Sequence, residues 1–585
     1  MTQDPAFVTY RVDPEELPDD VTIYGNGHVG GKAKGIIFSM KAYQEATIKG
    51  SYASYVHFPR SYIITSEFYD SFIDMNYLSD IVNDKCRRIL SVKEMKQKFL
   101  EANIPDDLET VLYDILEKEN GPLIIRSSSL LEDSLKYSFA GIYESIFIPN
   151  SGTLEYRIKS IEDAVKGVYA STFNENAKEY RKKHKIPWQK EKMCIVVQNV
   201  VGRKHSDDLY FPLIAGVAFS KNYYPWSKRV KMEDGIGRLV AGLGTRAVGR
   251  NYARVFSLSN PKLRPEGSIV NEIVRYSQTK IDVLDLATGE FQTLDLDEVK
   301  KSAKNLYITS STLKENQYFV PTQPHIGTDE KIVPTFERIL STSKYYPFIP
   351  VIDEILSSLE RLFGIAIDIE FAMDFDDNLN GTFYLVQARP LGSRPEYRKV
   401  RIPRLPKEDI IIRSKNVLGN GFRYNIPHIV YVPPENFNAQ TSYAIAREIG
   451  KVNEILQNER YILVGPGRWG TSTPELGVPV TYSEISNATV IVEVSTCGTD
   501  PELSFGTHFF GDLMSLKTLY IPVFMEKGGK LNREFFDEQP NRFNSDLIKL
   551  ITYPKGFKVY VDGEKNTGIV CMQKKREANN SKEET

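Results

Sequence analysis

The chain has 585 residues, 41% hydrophobic and 26% charged, ordinary for a soluble globular protein and long enough for about two to four domains. A formal net charge of −2 gives no global pull toward nucleic acid or a membrane surface. Four scattered cysteines (Cys86, Cys194, Cys497, Cys571) without a Cys-x-x-Cys indicate neither a zinc site nor a disulfide framework, and the lack of a signal segment or long apolar run points to the cytoplasm.

Residues 1–20 are acidic and Pro-containing and read as a loosely attached arm. Next comes Gly25-Asn-Gly-His-Val-Gly30-Gly31-Lys32-Ala-Lys34-Gly35, leading into a helical pattern from Ile36 to Glu45. Adjacent glycines let backbone N–H groups approach an anion, a helix start favours negative charge, and Lys32 adds a point cation. The spacing is not that of a Walker A loop, and taken alone the segment is an ordinary turn before a helix. Arg60–Thr65 reads as a strand, followed by an amphipathic stretch from Glu67 to Met75. Pro122-Leu-Ile-Ile-Arg126-Ser-Ser-Ser then reads as a short buried strand ending in an Arg and hydroxyl residues. That suits either a phosphate-facing edge or a capped strand end. A helical period spans Leu154 to Lys183, with Ile158, Ile161, Val165, Val168 and Tyr169 as its core stripe, and closes on the basic run Arg181–Lys185, read as a solvated helix terminus.

The most informative segments are Ala366-Ile-Asp-Ile-Glu370-Phe and Tyr384-Leu-Val-Gln387-Ala-Arg389-Pro, joined by the Asn/Asp/Gly-rich run 376–381. Alternating apolar flanks around such a link predict a β-hairpin. Residues two apart share a face, so Asp368 pairs in direction with Glu370, and Gln387 with Arg389. If the loop is symmetric about Asn378 and Leu379, Glu370 sits opposite Gln387 and Asp368 opposite Arg389. Carboxylate oxygens suit Mg²⁺ and Arg suits phosphate, although on the hairpin alone a salt-bridged, solvated sheet face is the more ordinary reading.

Taken together and in this order, the Gly-Gly-Lys segment, Arg126-Ser-Ser with Glu132-Asp133 and Phe139-Ala-Gly141, and the acidic strand with Gln387-x-Arg389-Pro resemble the nucleotide-binding region of the pyruvate phosphate dikinase and phosphoenolpyruvate synthase family. Val165–Arg181, Met193–Val201 with Ala215–Ser220, and Gly242-Leu-Gly244 agree with it, although Thr245 stands where a Glu is usual. The resemblance spans roughly residues 20–395 and implies a two-lobed ATP-grasp fold. It implies that Lys32 and Arg126 contact the triphosphate of ATP, that Gly141 and Ser145 lie in a loop over the phosphates, and that Gln198 lies near the adenine. Asp368 and Glu370 would face the metal–phosphate cluster, with Glu370 and Gln387 on Mg²⁺, and Arg389 would clamp the transferring phosphates. Phosphoryl transfer depends on positioning and charge neutralisation, which such a clamp supplies.

The stretch 394–406 is Pro- and Arg-rich and places a linker at 396–406 between domains at 21–395 and 407–572, with a polar tail at 573–585 expected to be disordered. About 180 residues follow the linker, too few for a (β/α)₈ barrel of about 250 together with a phosphohistidine domain, so the family's pyruvate-binding barrel is expected to be absent. The region instead carries Glu459–Gly470, a strand running into Gly465-Pro-Gly-Arg468-Trp469-Gly470, which fits an anion loop or acceptor pocket as well as a structural turn. Gly506-Thr507-His508, with Ile521-Pro522 further on, faintly resembles a phosphohistidine site; a core or capping histidine is the plainer reading. The expected fold class is α/β and α+β, multidomain: an ATP-grasp unit and a smaller α/β domain, with a hinge if the smaller domain visits the nucleotide. The expected function is ATP- and Mg-dependent phosphotransfer to His508 or an unidentified acceptor, with Arg126, Arg389 and His508 catalytic. The alternative is a non-catalytic ATP-binding regulatory or scaffold protein.

Overall fold

Among the described residues the strands form six sheets, of which three hold five or more strands. A computed structural model describes residues 7, 10–44, 52–83, 90–130, 132, 142–187, 191–206, 208–222, 229–303, 305–341, 346–391, 400–415, 417, 420–457, 459–495, 518–563 and 565–573. These residues divide into two compact units, one ending at 391 and the other starting at 400. The protein is mixed α/β and multidomain.

In the first unit a five-stranded sheet runs in the order Val21–Tyr24, Ser61–Ile64, Met193–Asn199, Leu123–Ser129, Ser145–Ile148. Its first pair is parallel and the others antiparallel. A six-stranded sheet has the order Arg254–Ser257, Ile236–Val240, Ile214–Phe219, Ile367–Phe375, Gly381–Pro390, Val56–His57. The helix Phe348–Phe363 buries Val351, Ile352, Ile355, Leu356 and Leu359 in one core with Phe371, Met373, Phe383 and Leu385 of this second sheet. It stops at Gly364, whose φ of +72° closes the last turn in the left-handed conformation that glycine adopts without steric cost.

The helix Gly30–Gln44 touches both sheets. Ala33, Ile36, Ile37 and Met40 pack with Ile63 and Val196 of the first. Gly35 lies against the second, where an added Cβ would come within 2.4 Å of the Ala388 carbonyl oxygen. Gly30 has φ +80° and leaves 1.8 Å between such a Cβ and the Ser128 carbonyl oxygen. These two glycines therefore serve close packing.

The period from Leu154 to Lys183 is two helices, Leu154–Ala170 and Glu175–His184, with the expected stripe fully buried. The break falls at Ser171 and Thr172, whose hydroxyls bond back to the Val168 and Tyr169 carbonyls and compete with the helical ladder. The basic run does end a helix, but Arg181 is not solvated. It is 1% exposed, ion-paired to Glu191 at 3.0 Å, and donates to the Thr172 carbonyl.

The second unit is built on an eight-stranded sheet. Asn420–Tyr431, Tyr461–Pro466, Ala488–Val494 and Leu519–Val523 are successive parallel neighbours, and Lys549–Asp562, Thr567–Met572 and Ile410–Ser414 continue the sheet antiparallel. The helix Ser442–Ile455 packs Ile445, Ile449 and Val452 on the parallel half, as expected of a small α/β domain. Trp469 is not presented to solvent. It is fully buried, its indole N–H donates to the Val492 carbonyl at 3.0 Å, and its backbone N–H donates to Glu493 Oε1 at 2.9 Å. Arg468 is 1% exposed, so this Gly/Pro turn is a packed corner of the sheet.

Candidate functional site

The hairpin forms as Ile367–Phe375 paired with Gly381–Pro390, and Glu370 lies opposite Gln387 and Asp368 opposite Arg389. The turn is centred on Asn378, with Phe375 opposite Gly381, half a step from the sequence expectation. A bulge makes up the difference: Glu370 pairs with Gln387 but Phe371 pairs with Leu385, leaving Val386 as the extra residue. Phe383 and Leu385 join the core below, while Val386 and Arg389 line the cleft above and Gln387 reaches its arginine there.

Facing this hairpin is Arg126, in the middle of the strand Leu123–Ser129 rather than at its end. Its guanidinium spans the two sheets. Nη2 donates to Glu370 Oε2 at 2.7 Å and to Gln387 Oε1 at 2.8 Å, and Nη1 donates to Gln198 Oε1 at 3.2 Å. Gln198 is held in turn by Ser61, to whose hydroxyl its amide nitrogen donates at 3.0 Å. It thus sits at the arginine. Arg389 Nε donates to both oxygens of Asp368, at 2.8 and 3.0 Å. Lys32 is 7% exposed and ion-paired to Glu132 at 3.0 Å, with Ser127 Oγ at 3.3 Å. Ser128 Oγ accepts the Ala33 N–H at 3.0 Å and fixes the start of the lysine's helix on the arginine's strand. The serine run is buried and continues the strand. Its hydroxyls tie Lys32, Glu132 and the helix start together.

Lys32, Arg126, Ser145, Gln198, Glu370 and Arg389 line one cleft of about 350 Å³, within the range of small-molecule sites. Asp368 and Gln387 adjoin it through Arg389 and Arg126. Gly141 and His508 lie outside the described residues. Three groups in the cleft were given no individual role from the sequence, although Glu132 and most of the third lie in segments that carry the resemblance. Glu132 is the carboxylate partner of Lys32. Tyr143 donates its hydroxyl to Glu191 at 2.7 Å, and burial with that carboxylate nearby pushes its phenol well up. The third is an apolar slot walled by Val200, Val201, Ala215, Val217, Leu243 and Ala372. Scattered small aliphatic residues on four separate strands and loops leave no local motif, so only the fold assembles that slot. Thr245 lines the same wall and donates to Asp282 Oδ2 at 2.6 Å.

The donor set fits a hard cation. Glu370 Oε2 and Gln387 Oε1 converge on one nitrogen, and Mg²⁺ takes one or two protein oxygens while phosphate and water complete its shell. Among the described residues no group of three or more His, Cys, Asp or Glu is placed to hold a metal, so a cage made only of side chains is not offered. Among the described residues, too, no helix is long and apolar enough to cross a membrane.

An apolar slot opening onto three paired cations has the make-up of a nucleotide-binding cleft: flat apolar walls for a base, charge for phosphates. Residues 26–409 match the family described as pyruvate phosphate dikinase, AMP/ATP-binding domain, and the chain belongs to that family. It is 22% identical over 355 residues to a probable phosphoenolpyruvate synthase of Staphylothermus marinus, covering 57% of this chain and 37% of that protein. Against the phosphoenolpyruvate synthase of Deinococcus radiodurans it is 22% identical over 386 residues, covering 63% of this chain and 42% of that one. The chain thus spans less than half the length of these relatives.

Proposed function

We propose that the first unit is an ATP-grasp module that binds ATP with Mg²⁺ in this cleft and transfers a phosphoryl group to His508 or to an acceptor still to be identified. The observation that carries the reading is the convergence of Arg126, from one sheet, with Glu370, Gln387 and Arg389 from the other, beside Lys32. Simple base recognition needs no such charged assembly. The adenine fits the slot between Val200, Val217 and Ala372, which excludes water and leaves the triphosphate pointing at the cations. Lys32 and Arg126 orient the phosphates. Arg389, aimed by Asp368, neutralises charge that builds on the transferring group, where preorganised cations are worth most. Glu370 and Gln387 would hold the magnesium ion, which when bound draws charge from the phosphate oxygens.

Identification of the nucleotide products tests this. Incubated with labelled ATP, the protein is expected to yield AMP, inorganic phosphate from the γ-phosphoryl group passed to water, and an acid-labile phosphoprotein carrying the β-phosphoryl group and absent from His508→Ala, or else ADP and a phosphorylated acceptor. ATP uptake with no product under any condition, unchanged in Arg389→Ala, would instead make the protein an ATP-responsive binder.

A further inference from the structure

Arg126 stands where two binding partners need it to be and not to be. Its Nη2 lies 2.7 Å from Glu370 Oε2 and 2.8 Å from Gln387 Oε1, the two oxygens that would hold the metal. The same guanidinium is the cation that the phosphates would use. Its Nε is buried without a hydrogen-bond partner, so this pose leaves part of its donor capacity unspent. We propose that Arg126 and Glu370 form a latch that selects the metal complex of the nucleotide over free nucleotide and over free metal. The proposal rests on the nucleotide reading above and names the ionic form of the ligand that the cleft accepts.

Lys32, Arg126 and Arg389 are each paired to a carboxylate, Glu132, Glu370 and Asp368, so the cationic end of the cleft presents no net positive side-chain charge from these pairs. A free triphosphate must take Arg126 from Glu370 and leave that carboxylate, only 21% exposed, beside its own phosphates. Like charges at that range and burial repel strongly. A free metal ion must push away a guanidinium that is 9% exposed and leave it unpaired beside a dication. When both arrive together, each displaced group gains a new partner: the carboxylate turns to the metal and the guanidinium to phosphate. Lys32 and Arg389 need not exchange, because the carboxylates they hold are not among the two metal donors.

Linkage makes the coupling reciprocal, and a charged hydrogen bond of this kind is worth roughly one to two factors of ten in affinity. The test uses the full chain and the β,γ-imido analogue of ATP, titrated by calorimetry in chelator and in Mg²⁺. Wild type is expected to bind the analogue at least about tenfold more tightly with Mg²⁺. Glu370→Gln, which keeps the shape and removes the charge, is expected to bind it about tenfold more tightly than wild type in chelator and to gain little from Mg²⁺. Arg126→Ala gives an independent arm: without nucleotide it should bind Mn²⁺, followed by electron paramagnetic resonance, about tenfold more tightly than wild type. Equal wild-type affinity with and without metal overturns the latch alone. So does a Glu370→Gln protein with native near-ultraviolet circular dichroism that binds no better in chelator, or an Arg126→Ala protein with no gain for Mn²⁺. No analogue binding by wild type in either condition overturns the nucleotide reading itself, and the latch with it.

Discussion

Asp374 offers a quantitative check on how this sheet is built. It lies on the same strand face as Asp368, Glu370 and Ala372, four residues beyond the ion pair with Arg126. Its two acidic predecessors each face a guanidinium; Asp374 has no cation within ion-pair distance among the described residues. It accepts the Phe375 N–H at 2.9 Å and a backbone bond at Leu213, with Arg203 farther off and Tyr210 and Tyr384 alongside. Burial therefore dominates and lifts its carboxyl from an ordinary 3.8 to about 6. The folded state thus binds the proton more tightly than the unfolded chain. The cost of ionisation is fully present above pH 6, shrinks as pH falls from 6 to 3.8, and is gone below that. A displacement of about two pH units, at about 1.4 kcal/mol each, corresponds to about 3 kcal/mol. Asp374→Asn keeps one oxygen acceptor for the Phe375 N–H and removes the charge. Scanning calorimetry of the first unit's transition should find the variant more stable than wild type by up to about 3 kcal/mol at pH 8, with no difference near pH 3.5. A stability difference that does not vary with pH, or a variant weaker at pH 8, would refute the assignment of burial as the cause.

Arg389→Lys keeps the charge but not the planar fork on Asp368, so turnover is expected to fall about 10²- to 10³-fold while the nucleotide dissociation constant moves only a few-fold; steady-state rates and calorimetry separate the two. Gly35→Ala puts a methyl 2.4 Å from the Ala388 carbonyl oxygen and pushes the Lys32 helix off the hairpin. It should cost about 1–3 kcal/mol and weaken nucleotide binding together, read by thermal unfolding and titration. Glu191→Ala leaves Arg181 buried without its carboxylate and should lower the first unit's stability by about 3–5 kcal/mol in the same calorimetric transition.

The hairpin was legible because its signals are local: a period of two, a turn composition and a countable register. Even there the agreement at Glu370 and Gln387 needed a bulge at Val386, which no residue type announces. The stripe from Ile158 to Tyr169 follows from periodicity, but the break at Ser171 depends on hydroxyls choosing carbonyls over solvent. What stayed hidden is what only packing decides. Arg181 reads as a surface charge until Glu191 buries with it, and no residue type announces that Ser128 and Ala388 close on Gly30 and Gly35. Arg468 and Trp469 look displayed until Val492 and Glu493 receive the indole and its backbone. The apolar slot was legible only in part: Val200, Val217 and Leu243 lie in segments that carry the resemblance, but nothing local brings them together with Ala372.

On the proposed function a nucleotide lies with its base between these aliphatic walls and its phosphates at Lys32, Arg126 and Arg389. Photolabelling the full chain with 8-azido-ATP in the presence of Mg²⁺, followed by peptide mapping, examines that placement directly. Label is expected in peptides holding Val200–Val217 or Leu243–Val248, removed by excess ATP. Label confined to other peptides, or label that excess ATP does not displace, would contradict that placement.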